Sequence, residues 1–114
     1  MERSSDNFQF NADLRGEAAG PGVTRQLLGY DEQLMLIKVV FETGAVGAMH
    51  SHPHSQATYV ESGRFAMTIG DETREIGPGD GYRVPPDVTH GITCLEAGAL
   101  IDAFSPLRAD FLTK

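Results

Sequence analysis

The stretch GAVGAMHSHPHSQATYVESG, residues 44–63, decides how the rest of the chain is read. It places three of the four histidines, His50, His52 and His54, within five residues. Side chains two apart on a β-strand point to the same face, so His50 and His52 can approach one ion together. Pro53 biases His52 towards an extended backbone and has no N–H to give to a strand ladder. The cluster therefore belongs at a strand end or edge, where side chains reach into a cavity mouth. His54 follows the break and is expected outside the ligand set. Gln56, four residues past His52, offers an amide oxygen. His90 follows the rigid turn Pro85-Pro86-Asp87-Val88-Thr89, where a second strand begins and an antiparallel neighbour would set it opposite the first pair. Neutral imidazoles with an amide oxygen suit a divalent first-row metal and leave its charge available to an anionic ligand. The plainer alternatives are hydrogen-bonded histidines in a core or an accidental chelator on the surface.

Outward from this cluster the chain reads as short strands. Residues 23–30 form one candidate and residues 33–41 the strongest, with Met35, Ile37, Val39 and Phe41 on one face. Leu34, Leu36 and Val40 share the other face with Lys38, a mixed face suited to a covering strand or subunit. Residues 43–47 are a glycine-bounded bend. Residues 57–61 and 64–69 alternate on either side of Ser62-Gly63, which is read as a two-residue hairpin turn. Further strands are expected at 73–76, 81–84, 89–95 and 99–104, separated by Gly/Pro turns. Residues 1–7 read as a mobile tail, Phe8-Gln9-Phe10 as a possible edge or swapped strand, and 15–22 as turns. Only residues 107–112 show weak helical character, too short for an independent helix. The expectation is an all-β jelly roll or small barrel over residues 23–114, with residues 1–22 as an N-terminal tail. An immunoglobulin-like sandwich is the all-β rival, but Trp and paired cysteines are absent.

The formal charge of −7 and the lack of any basic cluster argue against a nucleic-acid groove. No stretch is apolar for long enough to span a membrane, and the N-terminus carries no signal-like apolar run. A single cysteine, Cys94, excludes an internal disulfide and fits a reducing, cytoplasmic setting.

The residues assembled so far resemble the two motifs of the cupin superfamily. Gly44, His50, His52, Gln56 and Gly63 match the first motif, with glutamine in place of the usual acid. Gly79, Pro85 and His90 match the second, while Asp87 stands where glycine is common and Cys94 where asparagine is common. The stretches GAVGAMHSHPHSQATYVESGRFAMTIG, GDGYRVPPDVTHG and LIDAFSPLRADFL are more narrowly similar to the small pectin-degradation cupins of the KdgF family. The resemblance implies a cupin jelly-roll β-barrel, the double-stranded β-helix. It implies a divalent cation (nickel, zinc, manganese or iron) on His50, His52, Gln56 and His90. It also implies active-site roles for Asp102, Phe104 and Arg108, a small anionic sugar as substrate and a homodimer. Phe8, Phe10 and the Leu34/Leu36 face would suit its interface. Members of the family convert 4,5-unsaturated uronates to linear keto-uronates.

Those roles also make chemical sense residue by residue. Asp102 and Phe104 share one face of the last strand, and a carboxylate among core-like residues needs a partner or a task. Asp102 is the candidate general acid-base group, though an exposed strand residue or an arginine's partner is the plain alternative. Phe104 could wall a sugar ring or simply fill the core. Arg108 could fork a substrate carboxylate or merely pair with Asp110. Tyr59 and Tyr82 are weaker substrate-binding candidates, since strand aromatics are more often packing. The rival functions are a cupin dioxygenase acting on a small molecule and a non-catalytic sugar- or metal-binding cupin, because one fold hosts many activities.

Overall fold

Strict alternation makes β3 (Met35–Phe41) the centre of one sheet: Met35, Ile37, Val39 and Phe41 are buried, while Leu36, Lys38 and Val40 point outward. The structure is a computed structural model that describes residues 3–112. The first two residues of the expected tail and the last two of the expected barrel domain lie outside the described residues. The remaining strands are β1 (Glu17–Ala18), β2 (Val23–Tyr30), β4 (Val46–His50), β5 (Ser55–Ile69), β6 (Glu72–Ile76), β7 (Gly81–Val84) and β8 (His90–Ser105). Every pairing is antiparallel. The only helical turns among the described residues are single 3-10 turns at Asn11–Asp13 and Ala109–Phe111, so the weak helical tail shrinks to one turn. Among the described residues no helix is long and apolar enough to cross a membrane.

The long strands β5 and β8 pair along nearly their whole lengths and bend together. Beyond the bend each half joins different neighbours. The Gly98–Phe104 half of β8 pairs with β3, which leads to β2 and β1, while residues Gln56–Tyr59 of β5 pair with β7. The other halves pair with β4 and β6. Two sheets thus share two strands and close over one core, the jelly-roll cupin architecture. Phe41 and Phe65 meet edge to face at 5.3 Å within that core.

The expected hairpin at Ser62-Gly63 is not there. β5 runs straight through, and so does β8 where two strands at 89–95 and 99–104 were expected. Three register shifts between Val60 and Phe65 mark bulges, and the buried positions change phase from Gln56, Thr58 and Val60 to Phe65 and Met67. Gly63 does adopt a positive φ of 84°, but for a close strand crossing. A Cβ on Gly63 would meet the Glu96 carbonyl oxygen at 2.6 Å and the Cα of Gly98 at 2.7 Å. Gly98 reciprocates, with its missing Cβ directed at the Ser62 backbone. A glycine between two alternating runs signals a bulge or a close approach as readily as a turn.

At Asp87, where the motif usually has glycine, φ is 66°, a left-handed conformation that aspartate tolerates better than most residues. Its N–H donates to the His52 carbonyl at 2.8 Å and ties the second histidine turn to the first. Cys94, in the asparagine position, is buried in the core. The N-terminal segment is also less free than its composition suggests. Ser5 N–H donates to the Tyr30 carbonyl at 2.9 Å, Tyr30 N–H donates back to Ser5 Oγ at 3.0 Å, and Arg3 pairs with Glu32 at 2.9 Å. Phe8 and Phe10 lie in no strand and stack on each other, exposed. Within 15–22, two residues form the edge strand β1 against β2 of the same chain.

Because Gly63 combines a left-handed backbone with backbone atoms in the path of a Cβ, Gly63→Ala is expected to lower stability by about 2–4 kcal/mol. Urea unfolding measures this, and a loss below about 0.5 kcal/mol would contradict the close-crossing account.

Candidate metal centre

Three histidines converge where the two sheets meet. His50 ends β4, His90 begins β8 directly opposite it in the register, and His52 sits in the connection between β4 and β5. Ring centroids are 4.3 Å apart for His50 and His90, 4.8 Å for His52 and His90, and 5.7 Å for His50 and His52. One ring nitrogen from each lies within 4.8 Å of the others. Cation–nitrogen bonds of about 2.1 Å set ligand nitrogens about 3.0–3.4 Å apart, so each side chain would move by less than about 1 Å.

Each ring is anchored through Nδ1 to a backbone carbonyl two residues away. His50 Nδ1 faces the Ala48 oxygen at 2.8 Å, His90 Nδ1 faces Val88 at 2.9 Å, and His52 Nδ1 faces His54 at 3.2 Å. A proton on Nδ1 leaves Nε2 as the free lone pair, the arrangement that orients metal-binding imidazoles. His52 makes the argument sharper, because its Nε2 faces Gln56 Oε1 at 3.0 Å. A neutral imidazole has one ring proton, yet His52 presents both nitrogens to oxygen acceptors. Burial first, then the charge of Arg108, holds its pKa below the usual histidine value, so a second proton does not resolve the conflict. Burial does the same to His90, with His50, His52 and Arg108 adding to it. Turning the Gln56 amide over would set its oxygen against the Asp102 carboxylate, which its NH2 now meets at 3.3 Å. A cation shared by Nε2 and Oε1 satisfies both lone pairs, so this donor set fits a divalent ion.

The polar residues behind the histidines come from adjacent inward rows of one sheet. Leu27, Ile37, Asp102, Thr58 and Tyr82 follow one another across β2, β3, β8, β5 and β7, and Phe104 pairs with Gln56 in the next row. The Gln56 NH2 donates to Thr58 Oγ1 at 3.1 Å, and the Thr58 hydroxyl donates to Asp102 Oδ1. Burial pushes the Asp102 carboxyl up to about 6, against the opposing pull of Thr58, Gln56 and Arg108. Burial, then the Asp102 charge, also raises the Tyr82 phenol.

These residues open onto a cavity of about 390 Å³ lined by His50, His90, Gln56, Asp102, Phe104 and Arg108, with Tyr82 at its wall. Arg108 follows the cis Ser105–Pro106 peptide, and its Nε and one terminal nitrogen donate to Asp110 at 3.1 and 2.9 Å. Arg108 pairs with Asp110 as one reading expected, and its side chain, only 12% exposed, also lines the cavity. Tyr59 is a correction. It lies between buried Thr58 and Val60, so strand alternation turns it outward, 54% exposed, and it takes no part in the cavity. His54 stays out of the histidine cluster; its carbonyl anchors His52 and its Nε2 donates to the Leu107 carbonyl at 3.2 Å. Sequence reasoning missed Arg25 and Phe111, both in the cavity wall. The signal was present for Arg25, which shares the inward face of β2 with Val23 and Leu27.

Comparison with known proteins agrees with this geometry. The model of the cupin domain family matches residues 37–102. The chain is 42% identical over 98 residues to the pectin degradation protein KdgF of Dickeya dadantii (strain 3937), covering 84% of this chain and 89% of that protein. Among solved structures, an RmlC-like cupin from Shewanella frigidimarina superposes with a TM-score of 0.92 at 42% identity, over 95% of this chain and 97% of that one. KdgF from Halomonas sp. gives a TM-score of 0.89 at 35% identity, over 94% and 99%. The chain belongs to the cupin superfamily and, within it, to the KdgF family.

Proposed function

We propose that this chain converts 4,5-unsaturated uronate monosaccharides to linear keto-uronates in the breakdown of pectin or alginate. The observation that carries the reading is a buried carboxyl, Asp102, hydrogen-bonded to Gln56 of the metal centre and sharing one cavity with the Arg108 guanidinium. The 42% identity to a protein named for pectin degradation supports the substrate class.

The substrate is a cyclic enol ether with a carboxylate beside the ring oxygen. Linearisation adds a proton at C4 and water at C5, and the resulting hemiketal opens to the ketone. A divalent cation on His50, His52, Gln56 and His90 supplies a Lewis acid for carboxylate or hydroxyl oxygens. Arg108 retains N–H groups beyond those given to Asp110 and directs them to the substrate carboxylate. Asp102 is the group that moves the proton, between the incoming water and C4. Thr58 and Gln56 fix the carboxyl by donating to the same oxygen, Oδ1, which leaves Oδ2 for the reacting proton. Phe104, packed edge-on to His52 at 5.7 Å, forms an apolar wall that limits water around the ring. Tyr82 stays protonated and acts as a hydrogen-bond donor to a substrate hydroxyl.

The same reading makes the protein a homodimer. Its support is a largely apolar outer face on β3, β8 and β5: Leu36 and Val40 beside Ile101, Ala103 and Tyr59, around the Lys38–Glu61 ion pair and with Leu34 at the margin. Exposed apolar surface of this kind marks contact sites.

The decisive assay follows loss of the enol-ether absorbance of unsaturated galacturonate. Asp102→Ala is expected to lower the rate by about 100-fold or more with bound metal unchanged, while His90→Ala lowers both metal content and rate. Oxygen consumption, or an unreactive metal-loaded wild type, would overturn the reading. Sedimentation should give a dimer for the wild type and a monomer for Leu36→Glu; a monomeric wild type would refute the interface.

A further inference from the structure

Arg25 is a cation in a row that continues through buried core residues. It pairs with Val39, which pairs with Leu100, which pairs with Val60, and these three are buried. Placing a guanidinium in such a row is unfavourable unless it has a partner or a task. Its Nε is buried with no hydrogen-bond partner among the described residues. Glu17 faces it across the β1–β2 pairing and offsets part of its charge.

The surroundings point into the cavity. The Arg25 guanidinium carbon lies 3.9 Å from the centroid of the Phe111 ring, and that of Arg108 lies 4.1 Å from the same centroid. One aromatic ring thus holds two guanidinium groups, and both side chains line the space that contains His50, His90 and Asp102. Burial first, and then the like charge of Arg108, work against the charged form of Arg25, while Glu17 and Asp110 support it. Asp110 offsets Arg108, whose Nε and one terminal nitrogen it occupies. A second anion received by both cations would relieve what repulsion remains, and planar guanidinium groups recognise carboxylates through paired N–H donors.

We propose that Arg25 is a second substrate-binding residue, which together with Arg108 on the shared Phe111 ring forms a two-arginine site for the carboxylate of a uronate. This inference deepens the proposed function and rests on it for the identity of the substrate. It assigns carboxylate recognition to a pair of cations from opposite ends of the chain, β2 and the C-terminal turn. A cation held by His50, His52, Gln56 and His90 would then supply Lewis acidity to the other oxygens of the sugar. Phe111 acts as a positioning residue that keeps both guanidinium planes in place.

The test combines turnover of unsaturated galacturonate with calorimetric binding of two inert probes, galacturonate and galactose, which differ in the carboxylate. For Arg25→Gln the expected result is a KM raised about tenfold or more, with kcat within about threefold and metal content unchanged. Galacturonate binding should weaken by about tenfold while galactose binding does not change. Arg25→Lys, which keeps the charge but loses the fork, should fall between wild type and Arg25→Gln. A KM for Arg25→Gln within about twofold of wild type overturns the proposal and leaves the uronate reading standing. So does a Glu17→Gln variant that reproduces the whole defect, because Arg25 would then act only through its charge balance with Glu17. If the wild type does not turn over the unsaturated sugar, the proposed function fails and Arg25 is judged on galacturonate binding alone. Loss in Arg25→Gln then supports a carboxylate site, and unchanged or absent binding refutes it. If Arg25→Gln does not fold by circular dichroism, Arg25→Lys decides: a KM raised about threefold or more supports the proposal, and an unchanged KM overturns it.

Discussion

His52 has one ring proton and two oxygens to face, and this constraint organises the site. Nδ1 meets the His54 carbonyl and Nε2 meets the Gln56 amide oxygen, while burial and nearby positive charge disfavour a second proton. Gln56 cannot turn over to relieve the clash of lone pairs, because its NH2 is held by Thr58 and Asp102. The conflict is thus relayed along a hydrogen-bonded row into the buried carboxyl. A cation held by His52 and Gln56 would resolve it, and His50 and His90 would supply the further nitrogen ligands. Metal binding, the orientation of Gln56 and the placement of Asp102 are in this sense one arrangement.

That arrangement needs β5 and β8 held in register where residues 55–60 face residues 100–105. Thr58 lies opposite Asp102, and Gln56 opposite Phe104, within a stretch of β5 and β8 that pairs without a shift before the bulged crossing. The bend in turn needs Gly63 and Gly98, whose bare Cα atoms let the backbones approach at the crossing. Asp87 adds a cross-link by donating to the His52 carbonyl, so the loop with two of the histidines is fastened to the turn preceding the third. A substitution far from the cavity but at the crossing would therefore disturb the polar row as well as the core.

Much of this was legible in the amino-acid order, for reasons that differ from residue to residue. His50 and His52 announced a shared face through their spacing, and Met35 to Phe41 announced a half-buried strand through strict alternation. Asp102 and Phe104 were placed together by the same period of two. The hairpin at Ser62-Gly63 was misread because a positive-φ glycine serves a turn and a strand crossing equally well; only tertiary contact separates the two. Tyr59 was misassigned by its chemistry when its parity, one residue from Thr58, already placed it on the outer surface. Arg25 was overlooked for the opposite reason: its parity with Val23 and Leu27 pointed inward, but no local pattern links β2 to a turn more than eighty residues away. The tail docked by Ser5 and Arg3 was likewise invisible, since those bonds depend on where β2 ends.

X-ray absorption spectroscopy on the zinc-loaded protein bears most directly on the shared-cation account. It should reveal three imidazole nitrogens at about 2.0–2.1 Å and at least one oxygen at about 2.0–2.2 Å. A shell dominated by oxygen, or one with fewer than two imidazoles, would contradict convergence of these histidines on one ion.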